Sequence, residues 1–148
     1  MTKRLTALLA ALLAVFAIAV AGCGSATNDY RGKVSDIQKK YFTDLEKYST
    51  DFSSKMASDP QGAATSLDQL ASTAQKLSDE IKAVKPPSDK QALADQLVGA
   101  YSTLAKAAQD LKTAVAANDT AGLQTALDEF NKAQQDESSA VDAFNAAK

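Results

Sequence analysis

The chain contains no histidine in its 148 residues. That removes the commonest general base, metal ligand and haem ligand together. It has a single cysteine, Cys23, so no intramolecular disulfide can form. With Met56 as the sole methionine after the initiator, no thiolate or thioether metal set can be assembled either. Its six glycines are scattered and never take the spacing of a phosphate-cradling loop. Nor is there an excess of basic charge: 16 Lys+Arg stand against 18 Asp+Glu, which argues against a general nucleic-acid binder with its basic face. Serines are plentiful, but without a histidine partner or a Ser-x-x-Lys pattern none reads as an activated nucleophile. Ser53 and Ser54 beside Lys55 have the wrong helical phase to meet it. The adjacent acids Asp79-Glu80 and Asp128-Glu129 point in different directions on a helix and read as solvated surface charge. No enzyme and no cofactor is expected from such a residue set.

What the chain does carry is an amino-terminal address. Lys3 and Arg4 precede a largely apolar run from Leu5 to Val20, and small residues lead into the cysteine in Val20-Ala21-Gly22-Cys23. This stretch resembles the lipobox signal peptide of bacterial membrane lipoproteins. The resemblance implies that residues 1–22 are removed, that the cut falls between Gly22 and Cys23, and that the Cys23 thiol is joined to diacylglycerol at the extracytoplasmic face of the cell membrane. A cysteine suits that role because its thiolate is a good nucleophile. Two acyl chains suit it because one chain, at ~0.8 kcal/mol per buried methylene, anchors only marginally. The competing reading is an ordinary secretory signal or an uncleaved span, since Leu5 to Gly22 is barely long enough to cross a bilayer.

Cleavage would take Lys3 and Arg4 and no acid, leaving fourteen basic against eighteen acidic residues, a net charge of −4, on a mature chain of 126 residues. That length suits one domain with its own core. Residues 23–29 carry no apolar period after the cysteine and read as a short lipidated tether.

From Tyr30 the apolar positions fall at 30, 34, 37, 41, 45, 48, 52 and 56, in steps of three and four, which predicts an amphipathic helix over about 30–57. Asp59-Pro60 stops it and opens a second helix over 60–85, Asp59 as cap and Pro60 at the first helical position. Pro86-Pro87 cannot continue that helix. Ser88 with Gln91 has the pattern of a capping box, opening a third helix over 89–117 with Leu93, Leu97, Tyr101, Leu104, Ala108, Leu111 and Val115 inward. After the break at Asn118-Asp119, a fourth helix runs over 120–146, with a polar middle from Gln134 to Ser139. Four helices of similar length joined by short breaks bury their apolar stripes best as an all-α, up-down-up-down antiparallel four-helix bundle. A long helical hairpin that dimerises through the same stripes is the rival. Five of the eight aromatics of the mature chain, Tyr30, Tyr41, Phe42, Tyr48 and Phe52, lie on the first helix, which is therefore expected to supply most of the core volume. An Ala-rich helical sequence with a Pro-Pro corner is also similar in composition to small bundle lipoproteins of actinobacteria.

Phe42, at the edge of the first stripe beside Tyr41, is the one candidate partner-facing anchor; a residue wedged at the margin of a broad apolar face has the same signature. Lys148 is accounted for as a cation at a helix C-terminus, although a terminal lysine is a peptidoglycan link in the major outer-membrane lipoprotein, which it resembles in that respect. Two classes of function fit these features. The first is a non-enzymatic, membrane-held envelope protein that binds or braces an unidentified protein partner. The second is a small-molecule-binding or sensory module using the polar middle of the fourth helix.

Overall fold

The computed structural model describes residues 25–117 and 119–146. Gly22, Cys23, the apolar run before them and Lys148 lie outside the described residues. Four helices follow in order: α1 (Ser25–Lys55), α2 (Pro60–Ala83), α3 (Gln91–Ala117) and α4 (Thr120–Ala146), with a 3₁₀ turn at Ser88–Lys90 ahead of α3. They pack as an up-down-up-down antiparallel bundle, and no strand occurs among the described residues.

The breaks have local causes. Asp59 caps α2 by accepting a hydrogen bond from the Gly62 backbone N–H at 2.9 Å, with Pro60 at the first helical position. The α3–α4 turn repeats the device: Asp119 accepts from the Gly122 N–H at 3.0 Å and the Ala121 N–H at 3.2 Å. Both caps are Asp-x-x-Gly, and the capping carboxylate lies where a Cβ on either glycine would be, so a larger residue there would shift the carboxylate. At the other end, Val84 leaves the helix with φ −85° and ψ 117° while its N–H still reaches the Ile81 carbonyl at 3.0 Å. The Pro86-Pro87 pair keeps the helix from resuming, because Lys85 before it is pushed out of the helical region and Pro86 has no N–H to close a further turn.

The ends differ from the sequence reading in four places, the smallest being that α1 stops at Lys55 rather than 57. α1 starts at Ser25, so residues 25–29, expected in the tether, continue the helix. No proline or glycine interrupts them, and a helix already nucleated in the core propagates outward cheaply. α2 stops at Ala83 rather than 85, for the reason just given. Ser88 does not form the expected capping box. It begins the 3₁₀ turn, closed by the Lys90 N–H on the Pro87 carbonyl at 2.9 Å, and no side chain caps that turn. The Gln91 amide bonds Asp95 at 2.9 Å instead of reaching back.

The core has two parts. Near the α1–α2 and α3–α4 turns, Phe52, Leu67, Leu70, Leu104, Leu111 and Phe130 pack with a set of alanines. Near the Pro-Pro corner, Tyr30, Val34, Leu77, Ile81, Leu97, Tyr101, Val141 and Phe144 form the second cluster. The largest fully buried side chains are Leu67, Leu77, Ile81, Leu97 and Leu111, all on α2 and α3. This corrects the expectation that α1 fills the core: of its aromatics only Tyr30 and Phe52 are buried, while Tyr41, Phe42 and Tyr48 are half-buried at the rim. α2 and α3 run closest together, because alanines and Ser78 face one another across that seam. The Ser78 hydroxyl donates to the Val98 carbonyl at 2.9 Å and shares a hydrogen bond with Ser102 at 2.8 Å.

Two substitutions check this account by denaturant unfolding. Asp59→Ala, which leaves the first amides of α2 without their cap, is expected to cost about 1 kcal/mol. Leu97→Ala, which empties a fully buried site in the corner cluster, should cost about 2–5 kcal/mol.

Candidate functional site

Between the two apolar clusters lies a polar layer contributed by three helices. Gln38 of α1 is 3% exposed and Tyr101 of α3 is 2% exposed. The Gln38 Nε2 donates to the Tyr101 hydroxyl oxygen at 3.1 Å. The half-buried carboxyl of Glu137 on α4 lies near enough to that phenol for each to influence the other's proton affinity. Burial pushes the Tyr101 phenol far above its ordinary value, and the nearby Glu137 charge adds to the effect, so Tyr101 stays a neutral donor throughout the physiological range. Glu137 is also displaced upward from the usual carboxylate value: burial raises it, the Tyr101 bond opposes, and the charge of Asp142 raises it further.

The helical geometry explains why these three residues meet. Gln38 continues the buried line of Tyr30 and Val34 at steps of four, and Tyr101 follows Leu97 in the same way. Glu137 follows Phe130 and Ala133 and precedes Ala140, Val141 and Phe144 on the inward face of α4. A polar interior residue is tolerated when a partner faces it, and here each has one. Of the three, sequence reasoning placed only Tyr101 in a buried stripe. The polar middle from Gln134 to Ser139 marked the right part of α4, but Gln38 was missed, because a lone glutamine on an amphipathic helix carries no signal of its own.

Other polar interactions bind the bundle rim. The Tyr41 hydroxyl donates to Glu80 at 2.5 Å and the Lys40 ammonium to the same carboxylate oxygen at 2.6 Å. These bonds hold the Glu80 carboxyl below its ordinary value, Lys40 contributing more than Tyr41. Glu80 is therefore a strap between α1 and α2, and Asp79 is taken up by Gln75 at 3.0 Å. Asp128 is likewise bonded by Gln124 at 3.0 Å. On the corner side, the Arg31 guanidinium donates to the Phe144 and Asn145 carbonyls at 2.8 and 3.0 Å, placing a cation on the C-terminal end of α4, where the helix dipole favours it.

Concave surface is shallow. One cleft of about 540 Å³ lies between the start of α1 and the corner, lined by Asp29, Tyr30, Lys33 and Val84 to Pro87. A second, of about 340 Å³, follows the outer groove of α2 and α3 past Ser72, Gln75 and Lys106. Neither reaches the polar layer. No group of three or more acidic or cysteine side chains is arranged to hold a metal among the described residues, and no described helix is long and apolar enough to cross a membrane. Phe42 is half-buried beside Tyr41 on α1, in neither core cluster. The lipidation and cleavage residues Cys23 and Gly22 lie outside the described residues. Compared with protein-family models, with curated proteins and with solved structures, the chain finds no match.

The layer makes a stability prediction of its own. Tyr101→Phe leaves the buried Gln38 amide without its acceptor and should destabilise the bundle by about 1–3 kcal/mol. Adding Gln38→Met replaces both partners with apolar groups and should recover part of that loss, which a double-mutant cycle in denaturant measures.

Proposed function

We propose that the protein is a lipid-anchored lipoprotein of the bacterial cell envelope whose helical bundle acts by binding or bracing a protein at the extracytoplasmic membrane surface, without catalysis. The observation that carries this reading is the amino-terminal sequence: a basic start, an apolar run and Val20-Ala21-Gly22-Cys23. Diacylglycerol on Cys23 supplies the membrane attachment, and two acyl chains are enough to make it lasting.

The fold is compatible with that attachment. α1 begins at Ser25, two residues after Cys23, and the first core residue is Tyr30. A lipid on Cys23 therefore leaves little slack between membrane and bundle. The end of the bundle nearest the anchor holds the start of α1, the Pro86-Pro87 corner and the end of α4, since Tyr30 and Lys33 share a cleft with that corner and Arg31 binds the last carbonyls of α4. Lys33, Lys82, Lys85 and Lys90 belong to this end and are offset by Asp29, Asp36, Asp79, Glu80, Asp89 and Asp142, Asp89 pairing with Lys90, whereas the far end carries Asp51, Asp59, Asp68, Asp110, Asp119, Asp128 and Glu129 against Lys55 and Lys112. Each basic residue close to an anionic leaflet contributes about 1 kcal/mol, so this end turns toward the membrane and the capped turns at Asp59 and Asp119 turn away. The outward surface, with the half-buried aromatics of α1 at the rim, is the part that meets a partner, Phe42 among its contacts.

Two measurements test the reading. Cys23→Ala should leave a folded bundle but abolish acylation and cleavage before residue 23; mass spectrometry of membrane-extracted protein decides, and an unmodified cysteine in the wild-type product would sink the lipoprotein assignment. In anionic vesicles, a spin label at the exposed Ser88 of the lipidated protein should lie near the headgroups and one at the exposed Ser58 far from them. Equal depths for the two would end the proposed orientation while leaving the anchor intact.

A further inference from the structure

The cleft at the Pro-Pro corner gathers polar groups that the bundle itself leaves without partners. Lys33 of α1 and Lys85 after the end of α2 both line it, and so does Asp29, one helical turn before Lys33. All three are exposed, and none makes an ion pair among the described residues. Tyr30 lines the same cleft, and its buried hydroxyl bonds to no protein group. The ring is held where it is by Phe144, edge-on with centroids 5.8 Å apart. That contact is one of two aromatic clasps between α1 and α4, the other being Phe52 with Phe130 at 6.3 Å. α2 ends at Ala83 on the other wall, so the partial negative charge of a helix C-terminus borders the cleft as well.

We propose that this cleft binds the headgroup of an amine-bearing phospholipid of the phosphoethanolamine class, with its phosphate at Lys33 and Lys85 and its ammonium at Asp29 and the end of α2.

Charge decides the class of ligand. Two lysines suit a phosphodiester, which they hold as point charges. They stand beside a carboxylate and a helix C-terminus, both of which repel an anion, so a headgroup with a phosphate alone meets attraction and repulsion at once. A headgroup with an ammonium a few bonds from its phosphate satisfies both halves. Pairing of Asp29 with Lys33 across one turn is a weak competitor, as exposed pairs of that spacing are. The Tyr30 hydroxyl is a donor to which an ester or phosphate oxygen gives an acceptor. Val84, Pro86 and Pro87, half-buried along the rim, are apolar, and the two prolines have no N–H, which suits the glycerol and the first methylenes.

Shape decides between a lipid and a free small molecule. A free ligand needs most of its surface enclosed, and this cleft of about 540 Å³ is shallow. A lipid needs less enclosure, because its acyl chains keep the headgroup beside the site at high effective concentration. This source of the ligand rests on the orientation proposed above, which turns the corner toward the membrane.

The test uses the full chain carrying Cys23→Ala, so that its outcome is independent of acylation and its failure is separate from failure of the lipoprotein reading. Released from detergent into a native mass spectrometer with equal amounts of phosphatidylethanolamine and phosphatidylglycerol, the chain should retain phosphatidylethanolamine in preference. Lys33→Gln and Lys85→Gln should each weaken retention about five-fold, the equivalent of one basic residue at a lipid surface. Lys76→Gln, at an exposed position of α2 outside the cleft, should leave it unchanged. Asp29→Asn should abolish the preference for the amine-bearing lipid. Tyr30→Phe should weaken retention without lowering the midpoint of denaturant unfolding, because the hydroxyl bonds nothing in the bundle. No retained lipid, phosphatidylglycerol retained as readily by the wild type, or a Lys76→Gln effect equal to those of the cleft lysines overturns the proposal. Displacement of the lipid by an equal concentration of soluble glycerophosphoethanolamine marks a free-headgroup site and overturns it too.

Discussion

The bundle depends on how closely α2 and α3 can approach. Ala71, Ala74, Ala105 and Ala108 are buried, and where hydroxyls enter the seam, Ser78 bonds the Val98 carbonyl and Ser102 rather than keeping the helices apart. Small side chains bring the backbones together, and the leucines between them, Leu67, Leu77, Leu97 and Leu111, are then sealed from both sides. Burying one such leucine is worth about 1.5–3 kcal/mol. The central pair thus supplies most of the apolar burial, and α1 and α4 dress it from outside. This arrangement explains why the aromatic residues of α1 end at the rim. The space beside a closely packed α2–α3 pair is already filled, so Tyr41, Phe42 and Tyr48 stay half-buried at its edge, with the Tyr41 hydroxyl reaching Glu80.

The helices and the breaks between them were legible in the sequence because each is written in local chemistry. Three- and four-residue steps of apolar residues, an Asp-Pro pair, a Pro-Pro pair and an Asn-Asp pair need no tertiary information to be read. The exact starts were less legible: Ser25 to Asp29 have no apolar period, and only their attachment to an anchored helix makes them helical. The candidate site was the least legible part. Glu137 belongs to a stretch whose polarity was visible, Tyr101 to a stripe that was correctly taken as buried, and Gln38 to no pattern at all. What unites them is a contact between residues 63 positions apart in the chain, and spacing along one helix cannot report a partner on another. The Asp-x-x-Gly repeat was present in the sequence as well, but its meaning lies in the close approach of the carboxylate to the glycine, which appears only in three dimensions.

The surface ties reinforce the same hierarchy. Three ion pairs among the described residues lie within a single helix at four-residue spacing, among them Lys47 with Asp51 at 2.7 Å and Lys132 with Asp136 at 2.5 Å, each worth only a few tenths of a kcal/mol. Those that cross between helices are fewer: Lys40 with Glu80 joins α1 to α2, and Lys112 with Asp68 joins α3 to α2. Both converge on α2. No comparable pair spans α1 and α4 among the described residues, so the outer seam relies on its aromatic clasps and on Arg31.

Dividing the core in two has a mechanical consequence. A continuous apolar interior transmits a disturbance along its whole length, since each packed layer fixes the next. Here the hydrogen-bonded layer interrupts that column, and its geometry is set by bond directions rather than by the shape of neighbouring methyl groups. The turn end and the corner end can therefore loosen and recover as separate units, in the manner of independently exchanging segments. For a domain held at one end, as proposed for this chain, that would be a form of insulation: strain applied at the capped turns would be absorbed in the half that holds Phe52 and Phe130, and the half that holds Tyr30 and Phe144 would keep its grip on the start of α1.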